Sequence, residues 1–247
     1  CEASHVTFMA RQARGLVSLA LTEARCEQLN LPSMVDPATS GAVKLSIEAS
    51  TEIDTGISAA DRARTVRVAV APDAKPSDLV QPGHIFPVAT LSGGVLIRTG
   101  AAEAGVDLAT LAGLTPAAVF AEVLDTHGEL ADASALVAFA DAHDLRVGRV
   151  TDLVDYRLNH YRTVDLIRSG QITTRHGEFM LSVYQESTQG HVHMALSKGE
   201  FDQETPTLVR VHTVSSVRDL LAVSSAERAS WSIQDSLSRV GHEGGGV

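Results

Sequence analysis

The apolar residues of this chain fall in short runs that switch between a period of two and a period of three to four, and Gly or Pro closes almost every run. A chain punctuated so often folds as alternating short helices and strands around a shared core. Its 247 residues suffice for one large domain, or for a medium domain and a small one. The longest apolar stretches, such as 117–121 and 135–140, fall far short of the roughly 18 residues of a membrane span. No membrane partner is expected, and without a signal-peptide pattern the expected location is cytoplasmic. The start at Cys1, followed almost at once by a helical pattern, reads as a truncation.

Helices are expected over 5–14 (Ser4 as N-cap, Gly15 as left-handed stop), 23–29 (capped by Thr22), 58–71 (capped by Ser58 and stopped by Pro72), 103–112 (stopped by Gly113) and 134–142. Strands are expected over 16–20, 43–49, 95–98, 119–124 and 145–150. The alternation in 43–49 puts Val43, Leu45, Ile47 and Ala49 on one face and polar side chains on the other. The stretch around Pro76, Pro82 and Pro87 reads as irregular, with His84 on a constrained loop. A more polar stretch near 160–170 marks a domain boundary. Beyond it come strands over 178–185, 192–196 and 207–212, a Ser-rich helical stretch over 216–240 and a flexible glycine tail.

Charge narrows the chemistry. Lys and Arg number 20 against 30 Asp and Glu, a net charge of −10, so no nucleic-acid partner is expected and an anionic ligand needs local Arg or amide groups. Two cysteines, Cys1 and Cys26, cannot build a thiolate zinc site. His191 and His193 alternate on one strand face without a nearby third ligand, which reads as an exposed face rather than a metal site.

Four places could carry a reaction. Asp54-Thr55-Gly56 feeds a helix start, an arrangement that binds anions through free N–H groups, or is simply a capped helix with Asp61, Arg62 and Arg64 on a solvated face. His84 sits between Pro82 and Pro87 as an acid/base candidate. Arg98-Thr99-Gly100-Ala101-Ala102 joins an arginine to a second helix start, which suits a phosphate. Glu122 lies on an apolar strand, where a carboxylate needs a partner or a role.

Taken in order, 54–65, Pro82-Gly83-His84-Ile85-Phe86-Pro87, Gly93-Gly94-Val95-Leu96, 106–114 and Asp152-Leu153-Val154-Asp155-Tyr156-Arg157 resemble 3,4-dihydroxy-2-butanone-4-phosphate synthase of riboflavin biosynthesis, over about residues 4–158. The resemblance implies an α+β sandwich acting as a homodimer, a domain over 1–160, and a lyase that uses Mg2+ to convert ribulose 5-phosphate to 3,4-dihydroxy-2-butanone 4-phosphate and formate. It implies catalytic roles for His84 and Glu122, and substrate contacts at Arg98, Thr99, Gly100, Ala101, Ala102 and Thr55. Residues 173–212 look like the start of GTP cyclohydrolase II, which implies a small, degenerate α/β appendage over 170–247. No Cys follows Cys26, so the family's zinc site cannot form, and GTP hydrolysis is not expected.

The first region departs as well. Where the family reads Arg-x-Gly-His-Thr-Glu-Ala, with the His a metal ligand and the Thr at the substrate phosphate, this chain has Ala101 and Ala102. No metal ligand is expected there. The expectation is a diverged enzyme doing acid/base chemistry on a phosphorylated or polyhydroxylated small molecule. The alternatives are an inactive paralogue with a scaffold or partner-binding role, and the ordinary synthase.

Overall fold

The computed structural model describes residues 1–34, 42–188, 190–202, 204–215, 219 and 231–247. The chain forms two compact units, Cys1–Tyr161 and Arg162–Val247. In the first, α1 (Ala3–Phe8) runs into a π-helical turn, then β1 (Ser18–Thr22), α2 (Glu23–Gln28), β2 (Ile47–Ala49), α3 (Ala59–Val70), β3 (Leu79–Thr90), α4 (Ala101–Leu111), β4 (Ala117–Phe120), α5 (Ala133–Ala142) and α6 (Val150–His160). The sheet order is β2-β3-β1-β4, with β1 parallel to β3 and the other pairs antiparallel, so the unit is α+β with a mixed sheet.

The period of two sorts this sheet into two faces. Leu19, Leu21, Ile47, Ile85 and Ala89 pack with Cys26, Leu29, Val66 and Ala69 from α2 and α3 into the main core. Burial pushes the Cys26 thiol up to about 11, so it stays protonated and acts as a small core hydrophobe. On the opposite face Ala20, Val88, Ala118 and Phe120 meet Ala102 and Val106 of α4. Local signals placed most helices. The Ser58 and Thr22 hydroxyls accept the Asp61 and Arg25 amides, and Gly113 takes φ +70° after α4.

Several expected elements differ. Residues 81–87, expected as an irregular loop, lie inside β3: Phe86 and Pro87 pair with β1 and Ile85 with Ile47 of β2, while 81–84 bulge out between the β2 partners of Val80 and Ile85, where the local breakers sit. The expected strand over 95–98 is a 3-10 turn, Gly94–Leu96, since Gly94 takes φ +58° and Asp107 accepts the Val95 amide. The strand expected over 119–124 stops at Phe120, and the chain then bonds to the segment before β1, with Gly15 N–H donating to Glu122 O and Leu124 N–H to Ala13 O. Only Ile47–Ala49 of the expected 43–49 strand forms a ladder, with a register shift at Ile47/Glu48. Residues 145–149 are exposed, find no strand partner, and lead into α6. The first helix begins after Glu2 rather than Ser4, and Arg14, not Gly15, takes the left-handed conformation.

The second unit is an antiparallel sheet, β5 (Val164–Thr174), β6 (Gly177–Glu186) and β7 (Val192–Ser197), followed by α7 (Ile233–Glu243) with a Ser232 capping box. Residues 207–212 form no strand. The glycine tail is tied down rather than free: Gly246 and Lys198 exchange two backbone bonds, and Val247 N–H donates to Leu208 O. Of the helical stretch expected over 216–240, residues 216–218 and 220–230 lie outside the described residues, and 233–240 fall in α7. No helix among the described residues is long and apolar enough to cross a membrane.

Candidate functional site

On the α4 face of the sheet lies a cavity of about 400 Å³, lined by Ser18 of β1, Phe86 and Val88 of β3, Phe120 at the end of β4 and Gly100–Glu103 at the start of α4, with Arg98 and Glu122 at its polar side. The alternation of β3 explains the lining: Ile85, Pro87 and Ala89 are buried in the main core, so Phe86 and Val88 face the other way. His84 lies at the end of a bulge in β3 over residues 81–84, two residues before Phe86, and is not among the residues that line the cavity.

Arg98 is held by three bonds. Its Nε donates to Glu103 Oε1 at 2.7 Å, and its Nη2 donates to Ala89 O at 2.9 Å and to Glu103 Oε1. The Glu103 side chain is only 1% exposed, whereas that of Arg98 is 37% exposed, so one edge of the guanidinium neutralises a buried carboxylate while the remainder reaches the cavity. Gly100 permits this approach: a Cβ there would lie 2.6 Å from Glu103 Oε2. Gly100 also caps α4 without a side-chain bond, leaving the leading N–H groups of an 11-residue helix beside Arg98.

His84 Nδ1 lies 3.1 Å from Oε1 of Glu48, whose side chain is 14% exposed against 42% for the imidazole. A carboxylate only accepts, so Glu48 selects the tautomer with the proton on Nδ1 and leaves Nε2 as an acceptor. Glu48 is packed against the next loop: a Cβ on Gly56, which has φ +77°, would overlap its carboxylate.

The structure brings Arg98, Gly100, Ala101, Ala102 and Glu122 to one cavity. Thr99 is exposed, Glu122 is exposed rather than buried on a strand, and Thr55 lines no part of the cavity. The anion-binding reading of 54–56 also fails, because the Asp54, Thr55 and Gly56 amides all donate to the Asp61 carboxylate. Asp61 itself is 8% exposed, not part of a solvated face. Burial alone would raise its pKa, but the bonds from Ser58 and these three amides outweigh that and lower it. A group depressed in the folded state stabilises above its unfolded value and ceases to do so as pH falls through its folded value. Acid titration followed by circular dichroism should therefore show Asp61→Asn less stable than wild type near neutrality, with the gap closing below about pH 4. A gap that persists unchanged at pH 2 would contradict this role.

Sequence reasoning passed over Glu48 and Glu103. The alternation over 43–49 puts Glu48 on the polar face of a half-buried strand, which signals no partner for it. The signal for Glu103 was its spacing of five residues from Arg98, across a glycine turn into a helix.

The match to known proteins follows this geometry. The family model for 3,4-dihydroxy-2-butanone 4-phosphate synthase matches residues 1–156, and that for GTP cyclohydrolase II matches 166–247. The chain belongs to the 3,4-dihydroxy-2-butanone 4-phosphate synthase family. A protein of that name from Pseudomonas syringae pv. tomato is 48% identical over 250 residues, spanning this whole chain and 68% of the relative. The riboflavin biosynthesis protein RibBA of Aquifex aeolicus is 40% identical, covering 98% of this chain and 61% of that protein. Among solved structures, RibBX of A. baumannii, described as a two-domain synthase of this family, superposes with a TM-score of 0.77 at 42% identity, covering 98% of this chain and 76% of that one. A synthase structure in complex with two magnesium ions superposes at 0.60 with 36% identity, covering 64% of this chain and 81% of that one.

The family therefore implies Mg2+, and the residues described here do not fit it. A hard cation wants several oxygen ligands. The cavity offers the methyls of Ala101 and Ala102, a Glu103 carboxylate committed to Arg98, and Glu122. No group of three His, Cys, Asp or Glu side chains suited to a metal occurs among the described residues, and His191 pairs instead with Glu186 at 3.7 Å.

Proposed function

We propose that this chain is a diverged member of its family, a lyase-type acid/base catalyst for a phosphorylated or polyhydroxylated small molecule, with the homodimer the family implies. The observation that carries the reading is the His84–Glu48 pair at 3.1 Å, two residues along β3 from Phe86, which lines the cavity of Arg98 and Glu122. In this reading Arg98 and the α4 N-terminus hold the anionic end of the substrate. His84 Nε2 takes a proton from a carbon beside the substrate carbonyl, and the electron pair moves onto the carbonyl oxygen to give an enediolate. Glu48 stabilises the resulting imidazolium. The carbonyl re-forms as the C–O bond of a hydroxyl beside the carbanion carbon breaks, and Glu122 at the cavity edge relays the solvent proton with which that hydroxyl leaves as water, while His84 returns its proton to solvent.

A second reading, an inactive scaffold, is favoured by the commitment of Arg98 to Glu103 and by the two methyls at 101 and 102. Incubation with ribulose 5-phosphate in D2O separates the readings. The diverged enzyme should incorporate deuterium beside the carbonyl in the presence of a chelator, and His84→Gln should slow this by about 100-fold or more. Mg2+-dependent formate and four-carbon phosphate would restore the ordinary synthase. Absence of both exchange and binding of ribulose 5-phosphate would leave the scaffold.

A further inference from the structure

The motif Asp155-Tyr156-Arg157 on α6 has no place in the chemistry above, yet its arginine is among the better-held side chains of the first unit. Arg157 Nη1 donates to Asp107 Oδ2 of α4 at 2.7 Å and to the backbone oxygen of Gly93 at 2.8 Å. Both side chains are largely buried. The same Asp107 oxygen accepts the Val95 amide at 2.9 Å. Gly94, at φ +58°, passes so close that a Cβ would lie 2.3 Å from Asp107 Oδ1 and 2.7 Å from Arg157 Nη1. The turn over Gly94–Leu96 is thus gripped from two helices, and it ends where the Arg98 amide donates to Gly94 O at 3.1 Å.

We infer that Arg157 and Asp107 are positioning residues that fix the turn preceding Arg98 and so set its guanidinium at the cavity. The physical reason is geometric: a two-glycine turn has wide conformational freedom, and Arg98 follows it by only a few residues. Fixing both the Gly93 carbonyl and the Val95 amide removes that freedom. The effect on ligand affinity rests on the functional reading above, whereas the effect on Arg98 itself does not.

The test reads both. In the full chain, the Arg98 Nε–H, bonded to Glu103 in the structure, is followed by 15N NMR for its exchange with water, alongside calorimetric titration with inorganic phosphate and thermal unfolding. Arg157→Met should speed exchange of that proton at least tenfold at a temperature well below unfolding, and Arg157→Lys, which keeps one charged donor, should restore part of it. Phosphate affinity should fall about tenfold in Arg157→Met and partly recover in Arg157→Lys. Unchanged Arg98 exchange beside a lowered unfolding temperature would overturn the inference, reducing Arg157 to a general staple. A wild type that does not bind phosphate would remove the functional reading, while Arg98 exchange would still decide the positioning role.

Discussion

Arg98→Met is expected to cost about 3 kcal/mol of stability, the lower end of the range for stripping a buried charge of its partner. The asymmetry of the pair sets the size. Glu103 is 1% exposed and has Arg98 as its charged partner, so removal of the guanidinium strands a carboxylate that water cannot reach. The Ala89 carbonyl loses a donor in the same step. Removing the other partner is milder: in Glu103→Gln the half-exposed arginine can turn toward solvent, and the amide still accepts one bond, so about 1 to 2 kcal/mol is expected. Urea unfolding of the three proteins measures both. A Glu103→Gln loss larger than that of Arg98→Met would show that the burial argument has the pair the wrong way round. The same arginine thus has a structural duty as well as a place at the cavity, and loss of phosphate binding in Arg98→Met needs the stability measurement beside it.

Gly83→Ala is expected to cost about 3 kcal/mol and to disable the histidine next to it. A Cβ at this position would lie 2.1 Å from Ile47 O, 2.2 Å from Ile47 C and 2.5 Å from Glu48 N. All three atoms are backbone, so no side chain can rotate away, and β2 must part from β3. The displacement falls on the residue whose carboxylate orients His84, so the deuterium exchange described above should drop with the stability. Gly148→Ala is the matched control, since nothing lies within 4 Å of its added Cβ, and its stability should stay within about 0.5 kcal/mol of wild type. Equal behaviour of the two variants in chemical denaturation would refute the close-approach account.

These residues also show where sequence reading reaches its limit. The α3 helix was legible because its start and stop are local: Ser58 caps the Asp61 amide three residues on, and the helix ends at Val70, two residues before Pro72. The class was legible through the resemblance: the ordered motifs of 54–65, 82–87 and 93–96 point to the family, and the family implies the α+β fold, whereas alternating periods alone show only mixed helices and strands. His84, Arg98 and Glu122 were named from residue type and motif. Their surroundings were not. Pro82, Gly83 and Pro87 are breakers within a short window and predict a loop around His84, yet β3 forms because β1, more than sixty residues earlier, and β2 both pair with it. The apolar neighbours of Glu122 predict a buried strand position, but β4 ends two residues before it.

The sequence alone determined the first five helices and the apolar face of Ile47 and Ala49, but not the helix over Val150–His160. Each of these is a property of neighbouring residues. The tertiary structure decided that Glu48 meets His84 across 36 residues, that Arg157 reaches Gly93 across 64, and that Asp61 rather than a ligand takes the amides of 54–56. The physical reason is that a donor or a carboxylate accepts whichever partner the folded chain places within about 3 Å, and distance along the sequence does not determine that distance in space.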